Sequence, residues 1–252
     1  MRALLILALC LAPAIASADW RPLVFSDEGQ TLGKAHYAIE AGAGYNGLPQ
    51  TGTALLEDER RFDSWITAAV GVVDRVELAA SLDVADVPGR GFGLGDSRFD
   101  LRVQVLKPHR RFPIAIAVGA GYQSDPSYEH ALSAVVALSA QLGSRLSLTF
   151  DLRGAHYFHV GRDPLDVFLT AGALVRATSW LRLGAEYVGE ELEGVGDDAA
   201  DLDLGGGGRH YVGPTAVALL RGGRLRLNVT AGPVLTRTDT AALVRGSLAY
   251  LF

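Results

Sequence analysis

The chain has 252 residues, a formal net charge of −5, a mean hydropathy of +0.20, 30 glycines and a single cysteine, Cys10. The acidic balance excludes the basic surface that a nucleic-acid partner requires, and one cysteine excludes an intramolecular disulfide. The length suits one large β domain.

The first element is a leader. Met1 to Ala18 opens with Arg2, runs apolar from Ala3 to Ala12 and ends in Ala16-Ser17-Ala18, the pattern of a cleaved secretory signal peptide. Leu7-Ala8-Leu9-Cys10 is a poor lipidation box because a leucine precedes the cysteine, so Cys10 is expected to leave with the signal. The expected layout is a signal peptide at 1–18, an N-terminal periplasmic segment at 19–33 and a barrel at 34–252. Beyond the leader no apolar run approaches the ~18 residues of a transmembrane helix. A membrane protein without spanning helices has to satisfy its backbone in a closed β-barrel.

Period-two alternation then recurs in segments near the ~9–11 residues of a tilted membrane strand. It predicts strands at 34–45, 61–73, 75–85, 96–107, 112–123, 129–142, 145–157, 165–177, 180–189, 209–220, 223–235 and 241–252. The clearest is Arg145-Leu146-Ser147-Leu148-Thr149-Phe150-Asp151-Leu152-Arg153, apolar at every even position and polar at every odd one. Short links at Asp74, 108–111, 143–144, 178–179 and 221–222 alternate with longer ones at 46–60, 86–95, 124–128, 158–164, 190–208 and 236–240. Outer-membrane barrels have short periplasmic turns and longer outer loops. The expected fold class is therefore all-β: a transmembrane antiparallel up-and-down barrel of about 12 strands, with both ends periplasmic. The competing reading, a soluble exported barrel or sandwich, would turn the apolar face inward.

The last strand alternates through Val244, Gly246, Leu248 and Tyr250 to Phe252. It resembles the closing strand of bacterial outer-membrane barrels, whose final aromatic residue helps the barrel assembly machinery recognise the chain. Outer-membrane lipids and that machinery are the partners this implies, and the cell outer membrane is the implied location.

If the apolar face meets lipid, the polar face lines the lumen. The expected pore-lining residues are Glu40, Glu77, Asp83, Arg98, Asp100, Arg102, Arg145, Asp151, Arg153, Arg176, Arg182, Glu186, Arg224, Arg226 and Arg245, with Asp166 on the same face. A basic side chain facing lipid at the midplane costs roughly 2–4 kcal/mol, so this many charges belong inside. They read either as ion pairs bracing the wall or as a polar pore lining. Asp83 is expected opposite Arg98, and Asp100 near Ser81. Arg224, Arg226 and Arg245, with only Glu40 nearby, form the least balanced stretch and suggest either a preference for anions or plain hydration. Many inward positions are small, including Gly42, Gly44, Gly71, Ala115, Gly119, Gly121 and Gly172. They leave room for water, or for the segment before the first strand folded into the bore.

Other candidates are weaker. The stretch 190–208 holds seven carboxylates and, before Arg209, no basic residue. It reads as a solvated loop or a divalent-cation ligand, though its spacing is not that of an EF-hand. His156, His159 and Asp163 flank a loop without sharing a face, so no metal is expected. His130 and Ser133 fall on opposite faces of one strand, which leaves no nucleophile–base pair, no catalytic residue and no enzymatic activity. Trp65, Tyr37, Tyr45, Tyr122, Tyr187 and Trp180 lie near strand ends and suggest aromatic girdles.

Gly93-Leu94-Gly95-Asp96-Ser97 leads into a long alternating strand, a turn at Pro108, and then Pro113-Ile114-Ala115-Ile116-Ala117-Val118-Gly119. This stretch resembles the outer-membrane family named for the MetA pathway of phenol degradation. The resemblance implies a barrel with a transport role and names no catalytic residues. The expected function is a monomeric outer-membrane channel or transporter, passively admitting small solutes through a narrow polar lumen. No nucleotide-binding motif appears, and no cofactor is expected. The alternatives are a plugged barrel that displays its loops and a membrane-embedded lipid-modifying enzyme.

Overall fold

The computed structural model describes residues 23–25, 29–47, 62–87, 91–109, 112–124, 130–158, 165–190, 192, 208–236 and 240–252. The leader and most of the acidic stretch at 190–208 lie outside these residues.

The described residues form twelve strands: β1 (Tyr37–Asn46), β2 (Phe62–Val73), β3 (Val76–Val87), β4 (Gly91–Leu106), β5 (Ile114–Ser124), β6 (His130–Leu142), β7 (Leu146–Tyr157), β8 (Leu165–Arg176), β9 (Leu181–Glu190), β10 (Arg209–Leu220), β11 (Leu225–Leu235) and β12 (Thr240–Leu251). Each pairs antiparallel with its chain neighbours, and β1 pairs with β12 to close the barrel. No strand edge is left open, so the ladder satisfies the wall's backbone.

The sidedness is that of a membrane barrel. Ile66, Leu101, Phe150, Leu152, Leu183, Val229 and Leu248 are exposed on the outer face, while Glu40, Glu77, Asp100, Arg102, Arg153 and Arg226 are buried inside. Burying charge while leaving large apolar side chains in the open is backwards for water and right for a wall surrounded by hydrocarbon.

Several expectations need correcting. The stretch 86–95 is not a loop: β3 and β4 run on to Val87 and Gly91. A register shift between Leu82 and Val84 flips the alternation there, so the repeat of Gly93 and Gly95 with Phe92 and Leu94 reads as irregular although it is strand. The last pair of the two strands is Val87 with Gly91, which moves the expected pairing: Arg98 faces Ser81 and Asp100 faces Ala79. β1 starts three residues late because Ala35 takes φ 60° in a turn closed by His36 N–H donating to the Gly33 carbonyl. Arg145 and Arg224 precede their strands and are exposed in the turns, and Arg176 is exposed where β8 ends, so these three do not line the interior. Two-residue periodicity gives a side chain's parity but not where the wall stops. Trp65 faces inward rather than joining a girdle, whereas Tyr37, Tyr45 and Tyr122 are exposed outside.

Leu152 is the outward residue nearest the middle of β7. Leu152→Arg should lower the unfolding free energy in urea titrations of vesicle-embedded protein by about 2–4 kcal/mol. Ser144→Arg, in a turn, should change it by no more than about 0.5 kcal/mol. Equal losses would place Leu152 away from lipid.

Candidate functional site

The candidate site is the bore. Its wall is laced by ionic side chains that lie along it rather than point across it. Glu77 and Arg102 are register partners on β3 and β4. Arg102 donates to Glu77 Oε1 from both Nε, at 3.1 Å, and Nη2. Asp100 meets two arginines: Arg98 Nε lies 2.7 Å from Oδ2 as an ion pair, and Arg153 Nη1 donates to Oδ1 at 3.1 Å. Arg153 comes from β7, so its guanidinium crosses β6 and β5 to reach β4, and Ser133 Oγ on β6 accepts from it at 3.2 Å. The crossing needs a small residue beneath it. A Cβ on Gly121 of β5 would collide with Asp100 Oδ1 and Ser133 Oγ.

The same device recurs across β1. Arg245 of β12 reaches Asp63 of β2, with Nη2 2.5 Å from Oδ2. Gly44 lies between them and pairs with both, and a Cβ there would strike both side chains. The Trp65 indole lies over Gly42 and donates from Nε1 to Glu40 Oε1 at 3.3 Å. The Arg245 guanidinium stacks on that indole, 4.1 Å from the ring centroid, a cation–π contact.

The described residues of the N-terminal segment sit inside this wall. Leu23 packs on Leu174 and Val217, Phe25 on Val188, Tyr211, Val234 and Leu243, and Leu32 on Ala38, Ala69, Ala79 and Ala249. Two wall carboxylates receive its backbone: Phe25 N–H donates to Glu186 Oε1 at 2.7 Å and Leu32 N–H to Glu77 Oε2 at 2.8 Å. The Arg245 guanidinium also lies over the Phe25 ring, 5.0 Å from its centroid, so it contacts one ring of the wall and one of the segment. The wall makes room here too. A Cβ on Gly172 would collide with Leu23, and one on Gly71 with the Gly33 carbonyl. At Gly71 and Gly172 the small inward residue houses the segment.

Among the expected residues, Glu40, Glu77, Asp100, Arg102, Asp151, Arg153, Asp166, Arg182, Glu186, Arg226 and Arg245 are buried on the inner face. Arg98 and Asp83 are half-buried near its long-loop end. The expected cluster of Arg224, Arg226 and Arg245 does not form. Arg224 is in a turn. Arg226 pairs with Ala249, four residues along β12 from Arg245, or about 13 Å at ~3.3 Å per residue. Sequence reading passed over Asp63 and assigned Trp65 to a girdle, although both share the parity of Ala69 and Gly71 on β2. Leu23, Phe25 and Leu32 carry no periodic signal because their segment is not a strand. His130 is on the outer face and Ser133 on the inner, so they do not meet. His159 and Asp163 lie outside the described residues.

The fold is similar to that of a COG4313 outer membrane channel from Pseudomonas putida F1, at 9% identity over 88% of this chain and 97% of that one, with a TM-score of 0.60. It is also similar to the KdgM porin in complex with disordered oligogalacturonate, at 11% identity over 84% of this chain and 98% of that one, with a TM-score of 0.56. At such identities the likeness establishes the closed twelve-stranded barrel. No family model matches the chain, and no curated protein matches it.

Removing Glu77 would leave the Arg102 guanidinium buried without its carboxylate. Glu77→Ala should destabilise the folded barrel by about 3–5 kcal/mol in urea titrations. Pairing it with Arg102→Met should recover more than half of the loss. If the double replacement is no better than the single, the pair is not coupled as the geometry requires.

Proposed function

We propose that this chain is a passive outer-membrane channel for small solutes, narrowed by its own N-terminal segment. The observation that carries the reading is the combination of an apolar outer belt, a charged inner wall and a segment held within that wall. Eight strands give a bore filled by side chains and sixteen an open aqueous channel. Twelve leave an intermediate bore, and here part of it is taken by Leu23, Phe25 and Leu32. The proteins of similar fold named above are a channel and a porin, and the local resemblance to the MetA-pathway family points the same way. Gly93–Ser97 of that resemblance opens β4, and Pro113–Gly119 leads into β5.

In this reading the segment is periplasmic in origin, follows a cleaved signal peptide and reaches up into the bore from the short-turn end. The charged wall keeps the remaining passage wet, and its ion pairs keep that passage near neutral, so selectivity is expected to be weak. The expected lining is Glu40, Glu77, Asp100, Arg102, Arg153, Glu186 and Arg245, with water and solute moving between them and the segment. A second reading has the segment as a permanent plug and the barrel as a scaffold for its loops. The packing of Phe25 against Val188, Tyr211, Val234 and Leu243 favours it.

Conductance in planar bilayers separates the two. Wild-type protein should give small, ohmic openings, and Leu23→Ala with Phe25→Ala should enlarge them at least twofold, because two anchors of the segment are gone. Arg245→Gln should also raise conductance, by a smaller factor, since it removes the guanidinium that lies over Phe25 and Trp65. A silent wild type that stays silent in both variants would favour the scaffold.

A further inference from the structure

The arginines that the alternation assigned to the lumen stand instead on the rim, and they are part of a larger set. At the short-turn end every hairpin carries an exposed basic side chain. Arg75 lies between β2 and β3, Lys107 after β4 and Arg145 before β7. Arg176 ends β8, Arg221 and Arg224 lie between β10 and β11, and Lys34 precedes β1. Among the described residues of this end, Asp74 is the sole carboxylate side chain, and no ion pair holds any of these basic groups.

Two of them sit where arginine is a poor conformational choice. Arg75 has φ 74° and Arg221 φ 51°, in the left-handed region that favours glycine or asparagine. Gly143, Gly222 and Gly223 fill such positions elsewhere at this end. A turn that holds arginine at positive φ keeps a charge where glycine would fit more easily.

The placement names the partner. Exposed apolar residues of the outer belt lie within two positions of several of these charges: Val73 before Arg75, Val105 before Lys107, Val175 before Arg176 and Leu220 before Arg221. The cations therefore stand where the hydrocarbon-facing surface stops. They also run round the whole circumference. A protein partner would meet a patch on one side, whereas a ring at the edge of an apolar belt matches a surrounding sheet of negative headgroups.

We propose that this ring binds the phosphate-bearing headgroups of anionic phospholipids in the leaflet that the short turns face. The proposal rests on the membrane-spanning reading of the barrel and not on conduction, so a silent channel would leave it standing.

The test is lipid retention. Purified protein in detergent is mixed with equal amounts of phosphatidylglycerol and phosphatidylcholine of the same acyl chains. It is then passed through gel filtration, and the retained lipid is quantified by mass spectrometry. At ~0.01 M salt, wild type should retain phosphatidylglycerol about tenfold over phosphatidylcholine, and the ratio should collapse at ~1 M salt. Replacing the seven basic residues with glutamine should bring the ratio within about twofold of unity. Replacing the five arginines with lysine should keep it near wild type. The proposal is overturned by a wild-type ratio near one, by a ratio that survives the glutamine replacements, or by one that the lysine variant loses. Displacement of the lipid by millimolar inorganic phosphate would also overturn it, since that marks a free-anion site. If the glutamine variant does not fold, as judged by gel mobility, the salt series on wild type decides, and a ratio indifferent to salt overturns the proposal.

Discussion

Everything in this structure depends on a backbone with no water to bond to. In hydrocarbon an unsatisfied N–H or C=O costs several kcal/mol, and a wall of extended chain escapes that cost only by closing on itself. The β1–β12 pairing does this from Ala38–Leu251 to Asn46–Leu243. Once closed, the two-residue repeat assigns every side chain to lipid or bore, and the inverted polarity follows. Leu152 and Phe150 go outward, Asp151 and Arg153 inward.

Charges sent inward must then be paired within a small bore. The solution is lateral. Arg153 reaches over β6 and β5, and Arg245 over β1, each passing above a glycine that leaves the space. The small inner residues are thus not simply a wider hole. Gly44 and Gly121 house ion pairs, and Gly71 and Gly172 house the N-terminal segment. The segment in turn finishes the wall, because Glu77 and Glu186 accept its backbone N–H groups. Arg245 lies over both the Phe25 and the Trp65 rings, joining segment, β2 and β12.

The strand count, the sidedness and most of the inner charges were legible in the sequence, because each follows from parity and parity is local. Positions such as Glu77, Asp100 and Arg226 needed no more than that. What parity could not supply was where strands end, which misplaced Arg145 and Arg224 and shifted Asp83 relative to Arg98, or how a bulge resets the face, which hid the strand character of 91–95. Partners two or three strands apart, such as Asp100 with Arg153, depend on curvature and on the glycines between them. The docking of Leu23 and Phe25 was legible only as available space, since an irregular segment carries no period to read.

The central claim is that the segment occupies the bore of the folded protein. Leu23 and Leu174 pack in one cluster, so Leu23→Cys with Leu174→Cys, in a Cys10→Ser background, places two thiols in that cluster. The measurement is disulfide formation in membranes, read as a change in gel mobility that reductant reverses. The account predicts that the folded barrel cross-links nearly to completion. A folded barrel that stays uncrosslinked, with residue 23 open to a membrane-impermeant maleimide, would contradict it.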